Sequence, residues 1–477
     1  MLVFVAVVFV LIGLIHFYLW KRLVKDTTRG KRARRLGAVA AVVLAVLLPA
    51  TLIGTRTGHA EWLAWPGYLW LALMFYLLVV LLPLEAPRAG VLLWWRARRR
   101  GEREPVLVGA SAEPRAESEP TNAGGKAATT PGTTAGVAET AGAGDAADTG
   151  NGAGVGTKAG AGETAGTGET AGTGETAGTG ETAGTGETAG TGETAGAGEK
   201  QGTGGIDRRL LLARGAAIFA GLTAVGITGY GMKTALGPPQ LNRWAMPMAK
   251  LPRGMDGTRL AVVSDIHLGP LTGTHHVGRI VDLINSVKAD IVCVVGDLVD
   301  GSVAELGRFA TPLADIESRY GAYFVTGNHE YYSGYEPWIE EVASLGVRPL
   351  RNERVELGGL DLAGVNDLGG ADVGDPPDFR KALGDRDTAR PVVLMAHQPA
   401  AAHQAAPFGV DLQVSGHTHG GQMAPFNLLV KLDQPVVSGY GDVDGVPVFV
   451  TNGAGFWGPP VRVGAPPQVT VVELRSA

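Results

Sequence analysis

Between positions 265 and 419, eight residues able to bind cations or carry protons stand directly behind short apolar runs. Asp265 and His267 follow Arg259 to Val263, and Asp297 follows Ile291 to Val295. Asn328 and His329 follow Tyr323 to Thr326, His397 follows Pro391 to Ala396, and His417 and His419 follow Asp411 to Ser415. Taken singly, an Asp behind a strand is an ordinary cap or turn residue, and a lone His is usually structural. Eight such residues on five strand ends exceed what capping requires. Mixed oxygen and nitrogen donors suit hard and borderline divalent cations. The sole cysteine, Cys293, excludes both a thiolate-rich site and an intramolecular disulfide.

The apolar runs have the length of buried strands, and amphipathic helices are predicted between them at Val277 to Val287 and Val303 to Ile316. Further strands are expected at Val446 to Thr451 and Val469 to Leu474. Strand and helix alternating, followed by strand-rich sequence, predict an α/β domain whose sheets are covered by helices. In such sheets ligands bind beyond the carboxyl ends of the strands, which is where the eight residues fall.

Five segments occur in a telling order: Ser264-Asp265-Ile266-His267-Leu268-Gly269, Gly296-Asp297, Gly327-Asn328-His329-Glu330, His397, and Gly416-His417-Thr418-His419-Gly420-Gly421-Gln422. Together they closely resemble the calcineurin-like metallophosphoesterase family, over the stretch from Asp256 to Arg475. The extended Gly-His-Thr-His-Gly-Gly-Gln, the Leu350-Arg351-Asn352-Glu353 segment and Arg462 look like its bacterial membrane-associated or exported branch. Where that branch often has Pro-Glu near the last strand, this chain has Pro467-Gln468. The resemblance implies a four-layer αββα sandwich carrying two divalent metal ions, with Mn, Fe and Zn all suited to the donors. It implies that Asp265, His267 and His419 hold the first metal, that Asn328, His397 and His417 hold the second, and that Asp297 bridges both. A carboxylate suits the bridge because its two oxygens can neutralise and space two cations about 3.5 to 4 Å apart. The implied reaction is hydrolysis of a phosphomonoester or phosphodiester by a metal-bridging hydroxide. His329, left off the metals, would protonate the leaving oxygen or stabilise phosphoryl charge.

Upstream, runs long enough to span a bilayer are read at Leu2 to Trp20, Leu36 to Gly54 and Trp62 to Leu84. Basic residues crowd the stretches from Lys21 to Arg35 and from Arg96 to Arg103, whereas the loop between the second and third spans carries only Arg56 and Glu61. Short basic loops stay in the cytoplasm, so residues 21–35 and 85–104 are expected inside and the amino terminus outside. His16, alone in the first span, is expected to hydrogen-bond a neighbouring helix. A glycine-rich fourth run, Leu210 to Leu236, follows Arg208 and Arg209 and reads as a marginal span or a twin-arginine-like export signal. Arg214, near its start, is expected to reach the inner interface. Either reading carries the following domain out of the cytoplasm. The expected organisation is a three-helix membrane domain at 1–104, a linker at 105–205, a fourth helix or signal anchor at 206–237, and the metallophosphoesterase domain at 256–475.

The linker repeats Gly-Glu-Thr-Ala-Gly-Thr, with glutamates at 163, 169, 175, 181, 187 and 193. Lacking aliphatic residues to bury, it is expected to be disordered. From Asp256 onward 27 acidic residues face 15 basic ones, a balance of −12, which speaks against a nucleic-acid duplex as partner. The expected partners are a phosphate-ester substrate of lipid, nucleotide or envelope origin, lipid-linked esters included, and membrane lipid. His275, His276, Tyr331, Tyr332, Tyr335 and Trp338 follow the motif loops and are read as packing or exposed groups ahead of substrate contacts. Two alternatives stand beside this reading. One is a UDP-diacylglucosamine-type pyrophosphatase, which would need a cytoplasmic active site. The other is a metal-stabilised binding or sensing module without turnover, against which the intact His329 argues.

Overall fold

Sequence that is apolar on every side can satisfy its backbone in lipid only as helix, and the first hundred residues fold accordingly. A computed structural model describes residues 2–101 and 208–477; the expected linker at 105–205 lies outside them. Helix α1 (Leu2–Leu19) runs into a π-helical turn at Trp20–Lys25, and α2 (Lys31–Arg56), α3 (Ala64–Gly101) and α4 (Arg208–Leu236) follow. Among the described residues these four are long and apolar enough to cross a membrane. Helix α3 outruns its expected end at Leu84, passing through Pro83 and Pro87, because Val91 to Trp95 form a second apolar block that continues the helix.

Polar groups among these helices find partners. His16 Nδ1 meets the Ile12 carbonyl at 2.8 Å, and its Nε2 accepts from Trp70 Nε1 of α3 at 3.0 Å, the neighbouring-helix bond expected for it. Asp26 accepts from Arg22 at 2.8 Å and from Arg88 at 2.9 Å, and Glu85 accepts from Arg22 at 2.6 Å. Arg214 Nε donates to the Thr27 carbonyl at 3.1 Å, so its charge sits beside the basic loop.

Beyond α4 the chain forms β1 (Gln240–Met248), β2 (Thr258–Val263), β3 (Ile291–Val295), β4 (Ala322–Val325) and β5 (Val347–Pro349). Strands β6 (Glu353–Leu357), β7 (Leu360–Gly364), β8 (Val392–Met395), β9 (Leu412–Ser415), β10 (Gly439–Val443), β11 (Val446–Val450) and β12 (Gln468–Ser476) follow. The described residues build two six-stranded sheets, in the orders β1-β12-β2-β3-β4-β5 and β10-β11-β9-β8-β7-β6. Neighbours β2 to β5 are parallel, as are β7, β8, β9 and β11.

Side-chain alternation builds the layers. Leu260, Val262, Ile291, Cys293 and Val325 of one sheet face Leu362, Val393, Met395, Leu412 and Val414 of the other. Their neighbours Ala261, Val263, Val292 and Val294 point outward onto Val277, Ile280 and Ile284 of α5 (Thr274–Ser286). On that side lie also α6 (Val303–Ala310) and α8 (Tyr335–Ser344), while α7 (Asn328–Ser333) follows directly on β4. The second sheet's outer residues Ala363, Val392 and Leu394 pack against α9 (Phe379–Leu383) and α10 (Ala402–Ala405). The result is the four-layer αββα arrangement, and strands covered on both faces explain the unbroken apolar runs.

The helix expected at Val303 to Ile316 ends at Ala310 and tightens into a 3₁₀ turn at Thr311–Asp315, where Pro312 cannot supply the next backbone donor. Strand β1 is largely exposed, contains Pro247 and lies upstream of residue 256, so the sheet begins before the expected start of the domain. Its pairing with β12, 228 residues away at Gln240–Gln468, gives no local signal.

Candidate metal centre

Five parallel strands deliver the eight residues to one edge. Asp265 and His267 lie just past β2, Asp297 past β3, Asn328 and His329 past β4, His397 past β8, and His417 and His419 past β9. The backbone leaves these strands in an unusual way: Asp265 (φ 51°), His267 (49°), Asp297 (52°), His417 (70°) and His419 (53°) are all left-handed. Each such residue costs about 1–2 kcal/mol, and strain of this kind gathers at functional sites. Gly296 (φ 75°) shows how tight the edge is, since a Cβ there would sit 2.6 Å from the Gly327 nitrogen and 2.7 Å from His397 Nδ1.

The side chains converge in three donor groups, Asp265 with His267 and His419, Asp297 with His397 and His417, and His267 with Asp300 and His329, each with donor atoms within 4.8 Å of one another. His267 Nε2 lies 2.9 Å from His419 Nε2, which is itself 3.3 Å from Asp265 Oδ1. Asn328 Oδ1 joins the second group at 3.0 Å from His417 Nδ1. Asp297 stands between the first two groups, its Oδ2 3.1 Å from His397 Nε2 and 3.9 Å from His267 Nε2.

The donors fit divalent cations. His397 Nδ1 meets the Val295 carbonyl at 2.8 Å, which turns its buried Nε2 toward Asp297. Burial opposes charge on His397, yet Asp297, and behind it Asp265 and Asp367, raise its pKa well above the usual range. The carboxylates therefore create a field that calls for positive charge. Burial, reinforced by His397, pushes His417 down to about 4, and burial with Arg462 depresses His419. Both imidazoles stay neutral at ordinary pH, with lone pairs suited to a cation. Burial opposes ionisation of Asp297, but His397 and His329 hold it well below the carboxylate range.

His329 sits at the rim, its ring edge-on to His267 at 4.7 Å between centroids. Its Nδ1 lies 2.7 Å from Asp300 Oδ1, and its backbone nitrogen donates to Asp297 Oδ1 at 2.9 Å. Burial lowers its proton affinity, but Asp297 and the bonded Asp300 outweigh that and push the pKa up to about 9.

A family model described as calcineurin-like phosphoesterase matches residues 258–421. An uncharacterized metallophosphoesterase of Helicobacter pylori (strain J99) is 36% identical over 256 residues, covering 53% of this chain and 68% of that protein. The chain belongs to the calcineurin-like metallophosphoesterase family. A further metallophosphoesterase, from Aquifex aeolicus, is 32% identical over 245 residues, covering 50% of this chain and 92% of its own. The zebrafish "transmembrane protein with metallophosphoesterase domain" is 39% identical over 270 residues, covering 54% of this chain; the match spans 62% of that relative's length. Membership implies divalent metal ions, and the apolar helices together with such relatives make this a membrane-associated metallophosphoesterase.

Several residues of the metallophosphoesterase edge have contacts that the sequence does not reveal. Asp300 Oδ1 lies 2.8 Å from His267 Nδ1 as well as 2.7 Å from His329 Nδ1. Burial opposes its charge, but the two histidines hold its pKa down to about 2. In Gly-Asp-Leu-Val-Asp it looks like a turn carboxylate; only its spacing behind Asp297 hints otherwise. Fully buried Arg462 donates to the carbonyls of His419 (2.9 Å), Asn452 (2.8 Å) and Gly455 and lies 3.0 Å from His419 Nδ1, and burial lowers its pKa to about 10. Glu330 accepts from the backbone nitrogens of Asp297 (3.0 Å) and Leu298 (2.7 Å), locking two motif loops together. Of the residues flanking the motifs, Trp338 is packing: it is buried, and its Nε1 donates to the Gly301 carbonyl at 2.8 Å. Tyr332 is exposed, with its ring 5.5 Å from that of His329.

Proposed function

We propose that the protein is a membrane-anchored phosphoesterase that hydrolyses a phosphomonoester or phosphodiester at a two-metal centre outside the cytoplasm. Asp265, His267 and His419 would hold one divalent cation, Asn328, His397 and His417 the other, and Asp297 both. The position of Asp297, with one histidine of each donor group beside its Oδ2, carries this reading. Two bound divalent ions supply Lewis-acid polarisation of the phosphoryl group and acidify water.

The chain's own residues do the rest. Asp300 holds His329 by Nδ1 and fixes the plane of the ring. Raised to a pKa of about 9, His329 keeps a second proton, at Nε2, which it passes to the leaving oxygen. Arg462 and Glu330 hold the loops so that the donors need no rearrangement.

The test is Asp297→Ala in the full chain in detergent, read by metal analysis and by hydrolysis of bis(4-nitrophenyl) phosphate. Both metals and the hydrolysis should be lost; two full metal equivalents in the variant would refute the bridging role.

Sidedness is supported by charge and by which helix ends meet the sandwich. The turn between α2 and α3 approaches it: the Arg56 guanidinium lies 5.5 Å from the Tyr332 ring centroid, and a Cβ on Gly58 would meet Glu305. The basic segments at 21–35 and 96–100 belong to the opposite helix ends. With Cys293 replaced by Ala, a membrane-impermeant thiol reagent on intact cells should label Ser476→Cys and spare Thr179→Cys. The reverse pattern would place the catalytic domain inside.

A further inference from the structure

Ten residues behind His419 expose an apolar surface that water does not explain. Phe426 is 46% exposed, Leu428 61%, Leu429 57% and Leu432 83%, on and around the short helix α11 (Asn427–Val430). Among the described residues from 240 onward, the large aliphatics this exposed are Leu241, Val373 and these three leucines, so three of the five fall within five positions. Single exposed aliphatics are ordinary, but a cluster of this kind marks a contact surface. From Gly421 to Leu432 the only charged residue is Lys431.

The surroundings of this segment identify what covers it. Met423, at its start, is buried in one cluster with Leu77 and Leu81 of α3 and Ala220 and Ala224 of α4. The Phe426 ring meets Phe75 of α3 at 6.5 Å. Nearby, Gly458 lies against Tyr68 of the same helix. From Tyr68 to Phe75 is seven residues, roughly 10 Å of helix rise away from the α2–α3 turn. The segment therefore reaches further along a membrane-spanning helix than the rest of the sandwich edge does. Val461 belongs to the same cluster, and Arg462 N donates to the Gly231 carbonyl of α4 at 2.9 Å. The exposed leucines are thus continuous with a surface that is already in lipid.

The same segment borders the metal centre. Gln422, three residues behind His419, donates to the Trp457 carbonyl at 2.8 Å and accepts from the Trp457 nitrogen at 3.0 Å. The Trp457 ring, 55% exposed, stands 5.9 Å from that of His329. An indole suits the headgroup level, with one apolar body and one polar tip.

We infer that residues 423–432 dip into the bilayer leaflet next to the catalytic domain, and that the centre beside them acts on a phosphoester whose acyl or alkyl chains remain in that leaflet. The substrate half of this inference rests on the hydrolytic reading above. The chemistry is unchanged: one water is added across one P–O bond, its oxygen going to phosphorus and a proton to the leaving oxygen.

Depth and activity test it separately, with the full chain in phosphatidylethanolamine–phosphatidylglycerol vesicles. With Cys293→Ala as background, a polarity-sensitive fluorophore on Leu429→Cys should emit to the blue and be quenched by spin-labelled acyl chains. The same label on Arg319→Cys, before the opposite end of β4, should not. Equal, water-like behaviour at both positions overturns the insertion. For activity, bis(4-nitrophenyl) phosphate in solution is compared with 4-nitrophenyl hexadecyl phosphate carried in the vesicles. L428E/L429E/L432E should lower kcat/KM for the vesicle-borne ester about tenfold or more and leave the soluble one within twofold. Equal effects on both esters, or none on either, overturn the substrate assignment. If the unmodified protein cleaves neither ester, the hydrolytic reading fails, while the depth measurement still decides the insertion.

Discussion

His16 in α1 and His397 behind β8 are both buried, yet they show how differently two regions of one chain treat the same side chain. Among the membrane helices His16 is complete: one nitrogen meets a carbonyl of its own helix and the other an indole of the next. At the sandwich edge His397 uses one nitrogen for the Val295 carbonyl and turns the other to the Asp297 carboxylate at 3.1 Å. Burial alone does not make a site. What separates the regions is convergence: His16 stands between one carbonyl and one indole, whereas His397 shares a cluster with Asp297 and His417 where the strands end. His276 is a third case, buried in the first turn of α5, with Nε2 lacking a partner and Nδ1 3.4 Å from Arg279.

The largest expected effect tests the edge itself. His329→Ala should lower turnover by about 10² to 10⁴ while metal content stays unchanged, the range of a lost general acid. Leaving groups that need no proton should suffer less, and a uniform loss across leaving groups would move His329 to charge stabilisation.

Next comes His276, whose pKa burial and then Arg279 lower from 6.5 to about 4. The unfolded chain takes up the proton first, so stability rises with pH between about 4 and 6.5 and is lost as pH falls through that window. The full difference is about 3 kcal/mol. His276→Phe should flatten this window, which the gap between apparent Tm at pH 7 and pH 5 would report. An unchanged gap would show that the acid loss comes from the metal-centre carboxylates instead.

A smaller effect sharpens the role of Asp300, which touches no substrate and acts through two histidines. Asp300→Asn should lower activity about 10- to 100-fold, as for other residues that orient metal ligands. It should also move the alkaline limb of the pH profile to lower pH, because removing a negative charge weakens the hold of His329 on its proton. A purely structural role would lower activity without moving that limb.

Smallest is His16→Leu, which leaves the Trp70 indole without its acceptor at a cost of about 0.6 kcal/mol, typical of polar contacts between membrane helices. Apparent Tm should fall slightly, and hydrolysis of a soluble ester should not change. A large loss of activity would break the contrast between the regions.

Much of this architecture follows from local sequence. Ile291 to Val295 can only be a strand buried on both faces, and Leu2 to Trp20 and Leu36 to Gly54 are helical wherever they meet lipid, because period and residue type act over a few neighbours. The motif residues from Asp265 to His419 are legible for the same reason: each follows a strand whose end can be read. Where the strands pair, and which side chains then touch, depends on contacts between residues far apart in sequence. Strand β1, largely exposed and holding Pro247, does not stand out until β12 pairs with it. Asp300 is one more turn carboxylate until β2 and β4 bring His267 and His329 to it. Arg462 lies in a loop of ordinary composition, and only folding closes four carbonyls around it. Nothing in the local sequence tells whether the leucines from 428 to 432 are covered; tertiary structure leaves them exposed, beside a phenylalanine that meets α3.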